Sequence, residues 1–157
     1  MRPGHGWRRH ALRVTAVLPI AWLAAVLAAC STAGAEQHSA PQFRVVIGDT
    51  TLTGQLFDNA TARDLASALP MTLNFSDLHG LEKGAPLPRK LSVDGMPSGD
   101  DPQIGDLGYW APSGNLVLYY GDVGYWTGIL RIGHVDGDMR AVAAQSGDFD
   151  ATVELIR

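Results

Sequence analysis

From residue 43 onward the chain contains several short runs in which apolar and polar residues alternate. Phe43, Val45 and Ile47 form the first of these runs. Because successive side chains of a strand point to opposite faces, such alternation predicts strands that are buried on one side. The pattern and its turn residues predict strands over these ranges: 42–57 (a hairpin), 71–75, 105–111, 115–120, 129–135 and 149–156.

One helix interrupts these strands. Four apolar residues recur at the spacing of one helical face, Ala62, Leu65, Ala66 and Leu69. Thr61 with Asp64 three residues later has the pattern of a capping box, and Pro70 ends the helix. Residues 78–104 are rich in Gly, Pro, Asp and Ser, so we expect only short extended pieces there, near 82–83 and 90–91. Many short strands without a βαβ alternation predict a mostly β domain, either an antiparallel barrel or a sandwich.

The first thirty residues have the features of a secretory signal. A basic head without acidic residues precedes an apolar run over 14–29, which ends in Leu27-Ala28-Ala29-Cys30. This ending resembles a bacterial lipobox, which implies that Cys30 carries a lipid and that the signal is cleaved before it. The alternative is a buried or membrane-anchoring helix with an incidental cysteine. The pair Arg8-Arg9 also weakly resembles a twin-arginine export signal.

These features predict three parts of the chain: a lipoprotein signal peptide over 1–30, a flexible polar tether over 31–41, and a single domain over 42–157. A lipid on Cys30 would hold the protein to a membrane without a spanning helix. We therefore expect it on the extracytoplasmic side of a bacterial cell envelope. Ser31 after the cysteine favours the outer membrane where a cell has two.

Charge narrows the classes of partner. The chain has 12 basic and 16 acidic residues, a net charge of −4. Removal of the signal takes away four basic and no acidic residues, which leaves a net charge of −8. An acidic surface argues against nucleic acid, whose phosphates require a positive patch. With the single cysteine lipidated, the domain has no disulfide and depends on its apolar core.

Aromatic residues are concentrated in the stretch 105–126. It holds all four tyrosines and two of the four tryptophans: Tyr109, Trp110, Tyr119, Tyr120, Tyr125 and Trp126. Adjacent aromatic residues on a strand point to opposite faces, so these doublets cannot all enter one core. Either the outward rings pack under the helix and loops, or they line an exposed groove that binds a peptide or a small molecule.

Two segments resemble a family of small bacterial proteins with a cyclophilin-like fold. They are Glu82-Lys83-Gly84…Leu87-Pro88-Arg89-Lys90-Leu91-Ser92 and the run GDLGYWAPSGNL over 105–116. The likeness spans about 43–156. It implies a closed antiparallel β-barrel with one or two short helices, in a family whose members mostly have no established activity.

Cyclophilins catalyse rotation about Xaa–Pro bonds, and one segment of their catalytic site can be compared with this sequence. Lys83-Gly84…Leu87-Pro88-Arg89 is similar to their Lys-Gly…Phe-His-Arg segment, which implies that Arg89 stands at the catalytic arginine. A guanidinium beside the prolyl nitrogen weakens the amide resonance that otherwise gives a barrier of about 20 kcal/mol. However, Leu87-Pro88 replaces Phe-His, and 115–119 contains no counterpart of the site glutamine.

The sequence therefore leaves three hypotheses. The first is a non-catalytic, lipid-anchored binding domain whose groove is lined by Tyr109, Trp110, Tyr119, Tyr125 and Trp126, with Arg89 and Asn115 as polar anchors. The second is a degenerate prolyl isomerase acting on exported proteins, with Arg89 as its catalytic residue. The third is a purely structural envelope protein. The histidines lack metal-ligand spacing, and no cofactor fingerprint is present, so we expect neither a metal nor a cofactor.

Overall fold

The computed structural model describes residues 40–156. The predicted signal peptide, the lipidation site at Cys30 and most of the predicted tether lie outside the described residues. No helix within 40–156 has the length and apolar character needed to cross a membrane.

The described part contains ten strands and two short helices. In chain order they are β1 Gln42–Ile47, β2 Thr50–Leu56, α1 Ala60–Ala68, β3 Met71–Leu78, β4 Glu82–Pro86, β5 Gly99–Asp100, β6 Asp106–Trp110, β7 Asn115–Tyr119, β8 Trp126–Thr127, β9 Ile129–Asp136, α2 Arg140–Ala143 and β10 Phe149–Leu155. Eight strands close into a barrel in the order β1-β10-β3-β4-β7-β6-β9-β2, while β5 and β8 form a separate two-stranded sheet. All of the strand pairs are antiparallel. The predicted closed barrel is confirmed, and the sandwich alternative is wrong.

The barrel interior holds one apolar core, to which nearly every strand contributes. On β6 and β7 the inward residues are Leu107, Tyr109, Leu116 and Leu118, all of them buried. Helix α1 adds Ala62 and Leu65 to the same core. Because alternate residues of each strand enter this core, the residues between them face outward and are free to build a second surface.

The predicted capping box at Thr61 and Asp64 is wrong. Helix α1 is capped by Asn59, whose extended backbone precedes the helix and whose side-chain oxygen accepts a hydrogen bond from the Ala62 N–H at 2.9 Å. Thr61 is buried, and its hydroxyl donates to the carbonyl of Ser92 at 2.7 Å. The Thr61 hydroxyl therefore makes a tertiary hydrogen bond and does not cap the helix.

The segment 78–104 agrees only partly with its prediction. The extended piece near 82–83 is confirmed as β4, which pairs with both β3 and β7. The piece near 90–91 is not a strand. Leu91 is instead buried in the core, and its N–H donates to the Tyr109 hydroxyl at 3.1 Å. A turn joins β6 to β7, and Gly114 takes the left-handed conformation there, with φ of 80°.

Candidate functional site

The outer face of the barrel carries a cleft of about 660 Å³, which we call the outer cleft. It lies over strands β4, β6 and β7, between the β3–β4 turn and the loop that follows β7. Its lining residues are Leu78, His79, Leu81, Glu82, Trp110, Ser113, Asn115, Val117, Tyr119, Asp122, Val123, Trp126 and Ile129. Most of these side chains are apolar or aromatic, with a few polar groups among them, as is typical of pockets that bind small ligands.

Two glycines allow side chains of neighbouring strands to lie close against the sheet at this point. Val117 of β7 is paired with Gly84 of β4 on one side and with Gly108 of β6 on the other. A Cβ atom at Gly108 would lie 2.5 Å from Cε2 of Tyr119, and one at Gly84 would lie 2.6 Å from Cδ1 of Leu78. The glycines therefore leave room for the Tyr119 ring and the Leu78 side chain to lie across the neighbouring strands.

The aromatic walls of the outer cleft are held in place by packing and by one hydrogen bond. Trp110 is half-buried and packs against Val117, Tyr119 and Ile129, which form a small apolar cluster separate from the barrel core. Trp126 is 61% exposed, but its indole N–H donates to the Val123 carbonyl at 3.0 Å. The loop after β7 thus presents Trp126 as a fixed wall with much of its ring in solvent.

Glu82 places a carboxylate in this mostly apolar surface. It lies directly opposite Tyr119 in the pairing of β4 with β7. Burial raises the pKa of Glu82 above its usual 4.5, and only the nearby His79 acts in the opposite direction. Burial also raises the pKa of the Tyr119 hydroxyl, with smaller contributions from the charges of Glu82 and Asp106. Tyr119 therefore keeps its proton at neutral pH, beside a partly desolvated acid.

Four of the predicted site residues come together in the outer cleft, namely Trp110, Asn115, Tyr119 and Trp126. Tyr109 lies on the inner side of the same strand as Trp110, where it is buried in the barrel core. Tyr125 is 60% exposed and is not among the lining residues. Alternation within β6 separates Tyr109 from Trp110, which is the division expected for adjacent residues of a strand.

Arg89 lies away from the outer cleft. Its guanidinium binds the Asp64 carboxylate of α1 through two hydrogen bonds, Nη1 to Oδ2 at 2.9 Å and Nη2 to Oδ1 at 2.5 Å. These bonds, followed by one from the Ser92 N–H, lower the pKa of Asp64 to about 2. This planar double contact ties α1 to the loop after β4.

Most of the cleft residues that were not predicted from the sequence lie between the end of β3 and the start of β4 or in the loop after β7, whereas Ser113, Val117 and Ile129 lie elsewhere. Leu78, His79 and Glu82 reach the outer cleft because β4 pairs with β7, a contact between segments far apart in the sequence. Asp122 and Val123 follow the tyrosine doublet directly. The sequence predicts an extended piece near 82–83, but it does not indicate that this piece pairs with the strand at 115–119.

Two charged clusters elsewhere are part of the framework. Asp106 is fully buried and accepts from Arg131 Nε at 2.5 Å, with His134 Nδ1 at 2.8 Å on its other oxygen. Lys83 is buried at the other side of β4 and donates to Asp77 and to the Gln145 carbonyl, each at 2.7 Å. Within 40–156 no group of three or more acidic, histidine or cysteine side chains is arranged to hold a metal ion.

The closed eight-stranded antiparallel barrel, with short helices and a cleft on its outer face, defines the class of protein as a cyclophilin-like barrel. The model of the cyclophilin-like family matches residues 45–154, and the chain belongs to that family.

A solved structure has the same fold. It is the solution structure of a hypothetical protein from Archaeoglobus fulgidus, with a TM-score of 0.62 and 18% sequence identity over 78% of this chain and 99% of that one. At this identity the likeness concerns the fold alone. A comparison with curated proteins finds no match.

Proposed function

We propose that the protein is a lipid-anchored binding domain of the bacterial cell envelope, and that it holds a small organic ligand or a peptide in the outer cleft. The observation that carries the proposal is the cleft itself. Its volume of about 660 Å³ lies within the usual range for ligand pockets, roughly 300–1,000 Å³. Its aromatic walls supply apolar contact area, and Asn115 supplies a half-buried amide at the rim.

The tryptophans make this binding directly measurable. Outside the predicted signal, the two tryptophans are Trp110 and Trp126, and both line the outer cleft. In a full chain that carries Trp7→Phe and Trp22→Phe, all tryptophan fluorescence would come from the cleft. We would screen this chain, in a neutral maltoside detergent, against small aromatic molecules and short proline-containing peptides.

A pair of matched variants tests where such ligands bind. Asn115→Phe places a large ring at the rim of the outer cleft, whereas Asn74→Phe places one on the exposed outer side of β3, outside the lining residues. Ligands of the outer cleft should lose affinity in the first variant and retain it in the second. Equal affinity in both variants for every ligand found would contradict the proposal.

Lipid anchoring is supported by the sequence around Cys30 and is tested separately. The full chain, expressed in a bacterial host with an alkyne-labelled fatty acid, should incorporate the label and sediment with membranes. Cys30→Ser should abolish the label. Equal labelling of the Cys30→Ser chain would show that Cys30 is not the lipidated residue. The proposal that the outer cleft binds a ligand would be unaffected.

Prolyl isomerase activity remains the alternative function. It depends on Arg89, whose guanidinium is bound to Asp64 and lies outside the residues that line the cleft. Exchange spectroscopy on Xaa–Pro peptides in the presence of the full chain would detect catalysed rotation. A rate that disappears in Arg89→Ala, with the fold retained, would replace the binding hypothesis with the enzymatic one.

A further inference from the structure

We propose that the outer cleft selects an organic ammonium ion, that is, a primary or quaternary amine carried on an apolar group. The inference rests on the proposed binding function and assigns a chemical class to its ligand. Three observations support it: an unpaired carboxylate inside the cleft, the engagement of the basic side chains elsewhere, and aromatic rings around the same cavity.

The first observation is the state of Glu82. Its side chain lines the outer cleft and is partly buried, yet within 40–156 its carboxylate receives no hydrogen bond. A carboxylate that is partly removed from water is costly unless an opposite charge or a donor compensates it. A second carboxylate, that of Asp122, lines the same cleft and accepts only from the N–H of Gly124 within the described residues, at 3.1 Å. The polar part of the cleft is thus arranged to receive a cation.

The second observation is that the basic side chains are occupied elsewhere. Every arginine within 40–156 forms an ion pair with a carboxylate outside the cleft: Arg44 with Glu154, Arg63 with Asp58, Arg89 with Asp64, Arg131 with Asp106 and Arg140 with Asp138. Lys83 pairs with Asp77, and the Lys90 ammonium donates to the Pro112 carbonyl at 3.1 Å.

No Lys or Arg of the described chain therefore neutralises Glu82, and the basic residue that lines the cleft is the exposed His79. The same residues 40–156 contain seven Lys and Arg against fifteen Asp and Glu, a net charge of −8. The electrostatic potential of the domain thus attracts cations and repels anions.

The third observation is the aromatic lining. Trp110, Tyr119 and Trp126 surround the cavity that contains Glu82. The face of an aromatic ring attracts a cation, most strongly for tryptophan, and it also provides apolar contact for the carbon groups around a nitrogen. A carboxylate together with aromatic rings and an apolar floor at Val117 matches an ammonium with an apolar substituent better than it matches an anion.

The experiment compares three probes of similar size that differ in charge. They are benzyltrimethylammonium, benzyl alcohol and benzenesulfonate, titrated against the full chain that carries Trp7→Phe and Trp22→Phe. We expect the cation to bind most tightly and the anion not to bind. Glu82→Gln should weaken binding of the cation roughly tenfold while leaving benzyl alcohol unchanged. Glu154→Gln, a matched change on β10 outside the cleft, should have no effect.

A further probe identifies the source of the ammonium. Glycerophosphocholine carries the headgroup of a lipid without its acyl chains. Binding of glycerophosphocholine that depends on Glu82 would support the inference and assign a lipid headgroup. Binding of benzyltrimethylammonium alone would support it and assign a free amine.

The failure of this inference is distinguishable from the failure of the proposed function. If Asn115→Phe weakens benzyl alcohol and the cation equally, and Glu82→Gln weakens neither, then the cleft binds ligands without selecting a cation. That result would overturn the ammonium inference and support the binding function. If the cation binds but neither Asn115→Phe nor Glu82→Gln affects it, the binding lies elsewhere and the ammonium inference is also overturned.

Discussion

At the scale of single residues, the outer cleft depends on the absence of a side chain at Gly108. An added Cβ would meet Cε2 of Tyr119 at 2.5 Å, and the ring would have to move off β6. We expect Gly108→Ala to lower the free energy of unfolding by about 1–3 kcal/mol, as overpacking commonly does, and to weaken ligands of the cleft. Urea denaturation and fluorescence titration would measure the two effects. Unchanged stability together with unchanged affinity would contradict this structure of the cleft.

Glu82 makes stability depend on pH in a defined direction. Its pKa is raised in the folded protein, so the folded state prefers the protonated acid, and ionisation costs stability as pH rises through that raised pKa. The other ionisable groups that line the same cleft are His79, Tyr119 and Asp122. We therefore expect Glu82→Gln to be more stable than the wild-type protein at pH 7, with the difference vanishing near pH 3.

Thermal unfolding of the wild-type and Glu82→Gln proteins at pH 7 and at pH 3 would measure this difference. A Glu82→Gln protein less stable than wild type at pH 7 would show that the carboxylate has a partner that stabilises it.

The aromatic residues of the stretch 105–126 should separate into three functional groups. Trp110→Ala should remove most ligand affinity, because Trp110 forms a wall of the outer cleft. Tyr125→Ala should have no effect, since Tyr125 is exposed outside it. Tyr109→Phe should leave binding intact but lose the hydrogen bond from the Leu91 N–H, at a cost of about 0.5–1.5 kcal/mol. Titration and urea denaturation of the three variants would measure these effects, and loss of affinity in Tyr125→Ala would contradict the assignment.

At the scale of secondary-structure elements, Arg89 holds helix α1 against the loop that follows β4. Because the pKa of Asp64 is lowered to about 2, this carboxylate stabilises the fold above its usual pKa of 3.8, and the contribution is lost as pH falls through about 2. We expect Arg89→Gln to lower the unfolding temperature at pH 7 and to leave ligand affinity unchanged.

Asp64→Asn should cause a similar loss, and the double variant should lose less than the sum of the two single changes. Additive losses would show that the two side chains act independently. Reduced ligand affinity in a folded Arg89→Gln protein would instead show that Arg89 contributes to ligand binding.

Individual strands were largely predictable, because alternation is a local property. The hairpin over 42–57 and the strands near 106–110 and 115–119 follow from period-two patterns, and the same periodicity correctly separates Tyr109 from Trp110. The cleft was less predictable. It depends on Gly84 and Gly108 meeting Val117 from two different strands, and no local pattern specifies that register. Strands β5 and β8 contain two residues each, too few for any periodicity.

At the scale of the whole molecule, barrel closure explains why the protein has two distinct apolar surfaces. The barrel core takes one set of alternating side chains, including Leu116 and Leu118 of β7. The other set on the same strand, Val117 and Tyr119, is also buried, because Trp110 and Val123 cover it from outside. A β-barrel needs only its inner core for stability, so a second apolar cluster with an open cavity above it is the part of the molecule available for recognition.

The most direct test of this account is one fluorescence titration with benzyltrimethylammonium. It compares the Trp7→Phe, Trp22→Phe chain with the same chain carrying Asn115→Phe or, as control, Asn74→Phe. We expect saturable quenching of Trp110 and Trp126 in the parent chain and in the Asn74→Phe control, and its loss in Asn115→Phe. Saturable binding that is equally strong in all three proteins would show that the ligand site is not the outer cleft.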